Sequence, residues 1–98
     1  DDQVDVTHGL ARPPEALAGL LEIGGIGIIR LPYTAPARLV LSIALGRPDR
    51  LPQPARDQFG LPLIIIDPAM TSAAQRIEFA LDCILGRKTQ MVGALVAC

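Results

Sequence analysis

Apolar and polar positions alternate at the start of the chain. Val4 and Val6 are interleaved with Asp5 and Thr7, the period of two expected of a half-buried strand, and Gly9 closes it. Pro13-Pro14 ahead of 15–21 predict a short helix or turn, because proline suits a first helical turn and the early Glu15 suits the positive end of the helix dipole. From Leu21 to Leu31 isoleucines mix with Gly24, Gly25 and Gly27, a spacing that predicts a loop running into a strand. The β-branched and apolar stretch from Arg38 to Leu45, with no breaker inside it, predicts a central strand covered on both faces. Prolines and charges between Gly46 and Gly60 predict loop. Leu61 to Ile66 reads as a second apolar strand that stops at Asp67-Pro68, where the residue before proline is driven to extended geometry. Ser72 and Gln75 have the spacing of a capping box, and Ile77, Ala80, Leu81, Ile84 and Leu85 follow at helical spacing until Gly86. The tail from Met91 to Cys98 is apolar, and it either pads a neighbouring subunit or marks a cut end.

These elements predict one α/β domain over 1–98, with a mainly β core and a single strong C-terminal helix. Half of the 98 residues are apolar, enough for one modest core. Formal net charge is −1, the basic residues are scattered, and only three aromatics are present, so neither the electrostatic footprint nor the stacking platform of a nucleic-acid binder is found. No apolar run approaches the roughly 20 residues that span a bilayer, so no membrane segment is expected. Cys83 and Cys98 lack partners at metal-ligand spacing, which points to reduced thiols and a cytoplasmic setting. The start at Asp1, without methionine or a leader pattern, reads as a fragment.

Few residues carry chemistry by themselves. Asp1 and Asp2 are adjacent carboxylates ahead of a strand, where one can face a site as a base or magnesium ligand; a solvated terminus is the competing reading. Glu22 is a lone acid among apolar residues and glycines, either a cation ligand or an acid that reaches solvent. His8 has no matched acid or nucleophile, and no hydrolase triad is supported.

Asp1-Asp2-Gln3-Val4-Asp5-Val6, followed by Leu20-Leu21-Glu22-Ile23-Gly24-Gly25-Ile26-Gly27-Ile28-Ile29, resembles the HPr kinase/phosphorylase family in order and spacing. In that family the second segment reads roughly Leu-Glu-Ile-Arg-Gly-Leu-Gly-Ile-Ile. The 29–33 stretch and the 61–68 strand also resemble the short alphaproteobacterial type, so the likeness covers most of the chain. It implies a partial P-loop kinase-like fold and ATP- and Mg2+-dependent phosphorylation of a serine on HPr, the phosphocarrier of the phosphotransferase system, with the reverse phosphorolysis. By residue, it implies that Asp2, with Asp1 beside it, exchanges the proton of the substrate serine, and that Glu22 helps hold magnesium. It further implies that Leu21, Glu22, Ile23, Gly24, Gly25, Ile26, Gly27, Ile28, Ile29 and Arg30 form the catalytic segment shared by both reactions. An HPr-like protein and a homo-oligomer, hexameric in the family, are the implied partners.

Two departures stand out. Gly24 takes the place of the family's arginine, and no Gly-x-x-x-x-Gly-Lys-Ser/Thr occurs, so no cofactor-binding residues are assigned here and the chain alone is expected to be inactive. The alternative is a non-catalytic interaction or oligomerisation remnant of such a kinase.

Overall fold

His8 (φ 53°) and Gly9 (φ 77°) both sit in the left-handed region, the requirement of a two-residue hairpin turn whose twist matches the flanking strands. The turn joins β1 (Asp5–Thr7) to β2 (Leu10–Arg12), with Thr7 opposite Leu10 and Asp5 opposite Arg12. The strand expected at Val4–Thr7 is therefore present as β1. It is not half-buried, because Val4 and Val6 are both exposed.

A computed structural model describes residues 3–96. The fold is mixed α/β, with several small sheets and one C-terminal helix. The chain divides into two compact units, Asp1–Leu39 and Val40–Cys98.

In the first unit, Pro14 opens a single 3-10 turn, Glu15–Leu17, closed by the Leu17 amide donating to the Pro14 carbonyl at 2.9 Å. The predicted short helix or turn is this turn. Gly19 (φ 77°) then reverses the chain into β3 (Leu20–Ile23), which pairs antiparallel with β4 (Gly27–Arg30). The loop expected ahead of the strand is thus itself a strand: Gly24, Gly25 and Ile26 supply a turn, and the residues before it pair with those from Gly27 onward. β5 (Ala37–Arg38) adds antiparallel to β2, giving the order β1-β2-β5.

The continuous strand expected from Arg38 to Leu45 is broken. After β5 the Leu39 amide donates to the Gly9 carbonyl at 2.9 Å and the ladder ends; the chain becomes a strand again only at β6 (Ser42–Leu45), in the second unit. Nor is β6 covered on both faces, since Leu45 is 73% exposed.

In the second unit β6 pairs parallel with β7 (Leu63–Ile66), Ser42 beside Leu63 and Leu45 beside Ile66. The intervening 46–60 stretch holds no strand or helix, as expected, apart from a single bridge between Arg56 and Pro62. β7 stops before Asp67-Pro68, also as expected, and α1 (Ala73–Ile84) packs on β7. The capping box does not form. Ser72 lies at φ −90°, ψ 8° rather than in the extended geometry of a capping residue, and its hydroxyl accepts from Arg76 Nε at 2.9 Å instead. Ile77, Ala80, Leu81 and Ile84 form the inward stripe, whereas Leu85, past the last turn, is exposed. Gly86 (φ 79°) ends the helix in the left-handed geometry that glycine adopts freely.

The tail is part of this unit's own core. Ala94 and Leu95 bury beside Ala80, with Leu41, Ile64, Cys83 and Ile84 packed around them. Ile66 is the remaining buried apolar side chain among those described. No helix among the described residues is long and apolar enough to cross a membrane.

Candidate functional site

The shared segment 21–30 folds as one β-hairpin. Leu20 faces Arg30, Leu21 faces Ile29, Glu22 faces Ile28 and Ile23 faces Gly27. Alternation along paired strands puts Leu21, Ile23 and Ile29 on one face, all half-buried, and Glu22, Ile28 and Arg30 on the other, all exposed. Glu22 and Arg30 are diagonal neighbours on that outer face, a relation that separates Cα atoms by about 7–8 Å. Its exposure removes the burial cost that would call for a cation at Glu22.

The tip is made by Gly24, Gly25 and Ile26. The Ile26 amide donates to the Ile23 carbonyl at 2.9 Å, and Gly25 (φ 80°) occupies the third turn position, where a type II turn requires positive φ. Gly27 (φ 132°) likewise has a conformation that side chains rarely adopt, but Gly24 does not. A Cβ at Gly24 meets no atom within 4 Å, so the family's arginine could stand there without disturbing the turn. Gly19, at the base, is fixed by contact as well as by φ: its Cβ would lie 3.0 Å from the Leu31 carbonyl oxygen and 3.2 Å from Tyr33.

Beside the hairpin base lies an open pocket of about 360 Å³ with apolar walls that include Leu17, Leu20, Leu21, Leu31 and Tyr33. Arg12 supplies its one cationic side chain. Neither Arg12 nor Tyr33 stands out in the sequence as a site residue, because the pocket joins β2, the 3-10 turn and the residues after β4, which no linear motif connects.

The hairpin unites Leu21 through Arg30, while Asp1 and Asp2 lie outside the described residues. Of the implied magnesium ligands, the hairpin supplies the Glu22 carboxylate alone. Magnesium takes six oxygen ligands, and the sequence contains no phosphate-binding loop, so the described residues do not by themselves compose a nucleotide–magnesium site and no catalytic step is derived through one.

The second unit carries two carboxylates with structural duties that sequence reading missed. Asp57 Oδ1 accepts from the Phe59 and Leu61 amides at 2.8 and 2.9 Å, bracing the turn that Arg56 also ties by donating to the Gly60 carbonyl at 2.7 Å. Desolvation pushes the Asp57 carboxyl up, but these amides and the Ser42 hydroxyl together hold it below the usual 3.8. Aspartate three residues before a glycine was the available turn signal. Asp82 accepts from Lys88 and Arg87 beyond the end of α1, and these hydrogen bonds hold it below 3.8 despite partial desolvation.

Both carboxyls are depressed in the folded state. Their contribution to stability is complete above the ordinary carboxylate value of 3.8 and is lost as pH falls through their lower folded values. Thermal melts followed by circular dichroism from pH 7 to pH 2 should therefore be flat down to about pH 5 and then fall. The fall should be shallower in Asp57→Asn and Asp82→Asn; equal slopes in all three proteins would refute these roles.

No family model matches the chain, and neither a curated protein nor a solved structure matches it.

Proposed function

We propose that the chain is part of the catalytic domain of an HPr-type serine kinase/phosphorylase, a P-loop kinase fold of which it carries the portion that follows the ATP-binding loop. Its setting on this reading is the cytoplasm. The observation that supports the reading best is the hairpin: the whole of 21–30, the stretch that carries the resemblance, is one glycine-tipped element with Glu22 and Arg30 on one exposed face.

A glycine tip with open space around it leaves room for a phosphoserine and its flanking backbone to approach closely. Arg30 supplies a guanidinium suited to phosphate oxygens, and the apolar pocket beside the hairpin suits an aliphatic side chain of the phosphocarrier. Asp2 as the proton-exchanging base, Asp1 as its neighbour and Glu22 as a magnesium ligand belong to this proposal through the resemblance. A second reading, a non-catalytic interaction or oligomerisation remnant, is favoured by Gly24 and by the missing loop motif.

Titrating an HPr-type phosphocarrier, in plain and serine-phosphorylated forms, into the isotope-labelled chain tests the binding half. Amide shifts concentrated in 20–30 and stronger for the phosphorylated form are expected; no shift with either form overturns the kinase/phosphorylase reading. The gene separates the two readings. An in-frame Gly-x-x-x-x-Gly-Lys-Ser/Thr encoded ahead of Asp1 supports the enzyme, and unrelated sequence there supports the remnant.

A further inference from the structure

A second pocket lies wholly within the second unit. Its volume is about 340 Å³, inside the roughly 300–1,000 Å³ of small-molecule sites. β7, α1, the 48–52 stretch and the 90–95 loop enclose it. The 48–52 stretch follows the carboxyl end of β6, and α1 follows that of β7, the end at which open α/β sheets take their ligands.

The walls differ with depth. Ile66, Ala80 and Leu95 are buried and Ile64 is half-buried, so the floor is apolar. Arg50 and Arg76 line the same pocket and are exposed, so they stand at its rim. Asp49 stands there too, and two guanidiniums against one carboxylate leave the rim net positive. Among the described residues neither arginine forms an ion pair.

The failed capping box gains a reason here. The Ser72 hydroxyl, which a capping box would aim at the start of α1, accepts from Arg76 Nε at 2.9 Å instead. That bond steadies the guanidinium and leaves its two terminal nitrogens as donors. Gln90 adds a further donor: its carboxamide oxygen is taken by the Leu95 amide, and its NH2 group is left over.

The planar two-oxygen face of a carboxylate matches a guanidinium fork. A floor of isoleucine, alanine and leucine calls for hydrocarbon, and a phosphorylated sugar would set its hydroxyls against that floor without partners. We infer that this pocket binds a small aliphatic monocarboxylate, its head on Arg76 and Arg50 and its body over Ile64, Ile66 and Ala80. The inference does not depend on the proposed function.

Octanoate is the probe, titrated into the isotope-labelled 98-residue chain. Saturable amide shifts centred on 64–66, 76–83 and 90–95 are expected. Acetate, which has the head without the body, and octanol, which has the body without the charge, should each bind at least tenfold more weakly. Arg76→Gln alters an exposed position and should weaken octanoate binding roughly tenfold or more with an unchanged circular dichroism spectrum. Shifts that do not saturate, octanol binding as tightly as octanoate, or an Arg76→Gln chain that binds like the parent overturns the inference. So does inorganic phosphate that displaces octanoate at equal concentration, which would make this a phosphate site.

Discussion

On the proposed kinase/phosphorylase reading, replacing Gly24 with arginine is expected to tighten binding of a serine-phosphorylated phosphocarrier at least tenfold without lowering the melting temperature. The substitution restores the residue that the resembling family carries. It does so at a position with no positive φ and no atom within 4 Å of the new Cβ. A charged hydrogen bond contributes about 1.5–3 kcal/mol, which corresponds to roughly 10- to 150-fold in affinity. Gly25→Arg is the control: at φ 80° a side chain costs about 1–2 kcal/mol of strain, so the same guanidinium one residue on should lower stability. Titration calorimetry and thermal melts read both quantities. Unchanged affinity in Gly24→Arg would mean that the hairpin tip is not where the phosphate sits.

Leu95→Ala should cost about 2–4 kcal/mol, the range for emptying a buried leucine site. Few neighbours can compensate. The core of the second unit gathers Ala80, Ala94 and Leu95 with half-buried residues of β7 and α1, so removing one leucine side chain takes a large share of what holds the helix to the sheet. Against a typical total of about 5–15 kcal/mol, such a loss shifts the denaturation midpoint clearly. Val92, 64% exposed, serves as the comparison, and its replacement by alanine should cost no more than about 0.5 kcal/mol. Equal, small losses at both positions would remove the tail from the core.

Where one short stretch of chain decides the outcome, the sequence was legible. β7 ends where Asp67-Pro68 forces it to, α1 follows its apolar stripe to Gly86, and the proline-rich 46–60 stretch forms no strand or helix. Pairing was harder to see. Nothing in Leu20–Ile23 alone separates a loop from a strand, because its partner lies beyond the glycines, and β2 was hidden for the same reason behind the His8-Gly9 turn. The apolar run from Arg38 to Leu45 was misleading because hydrophobicity continues across a point where the hydrogen-bonding partner changes from β2 to β7. For the site, the motif identified the residues of one hairpin, but the face on which each lies depends on register. Glu22 therefore read as an acid among apolar neighbours although it faces solvent.

The return of the tail has a consequence for how this region tolerates changes in length. The Gln90 side chain accepts from the Leu95 amide at 2.7 Å, and a Cβ on Gly93 (φ 130°) would come within 3.2 Å of that same carboxamide. Residues 90–95 thus form a small closed loop whose span is set by one side chain. An insertion between Lys88 and Gln90 only lengthens the approach, whereas one between Gln90 and Leu95 withdraws the leucine from its seat. Variation in length among natural or engineered versions of this chain should therefore collect before Gln90 and stop there.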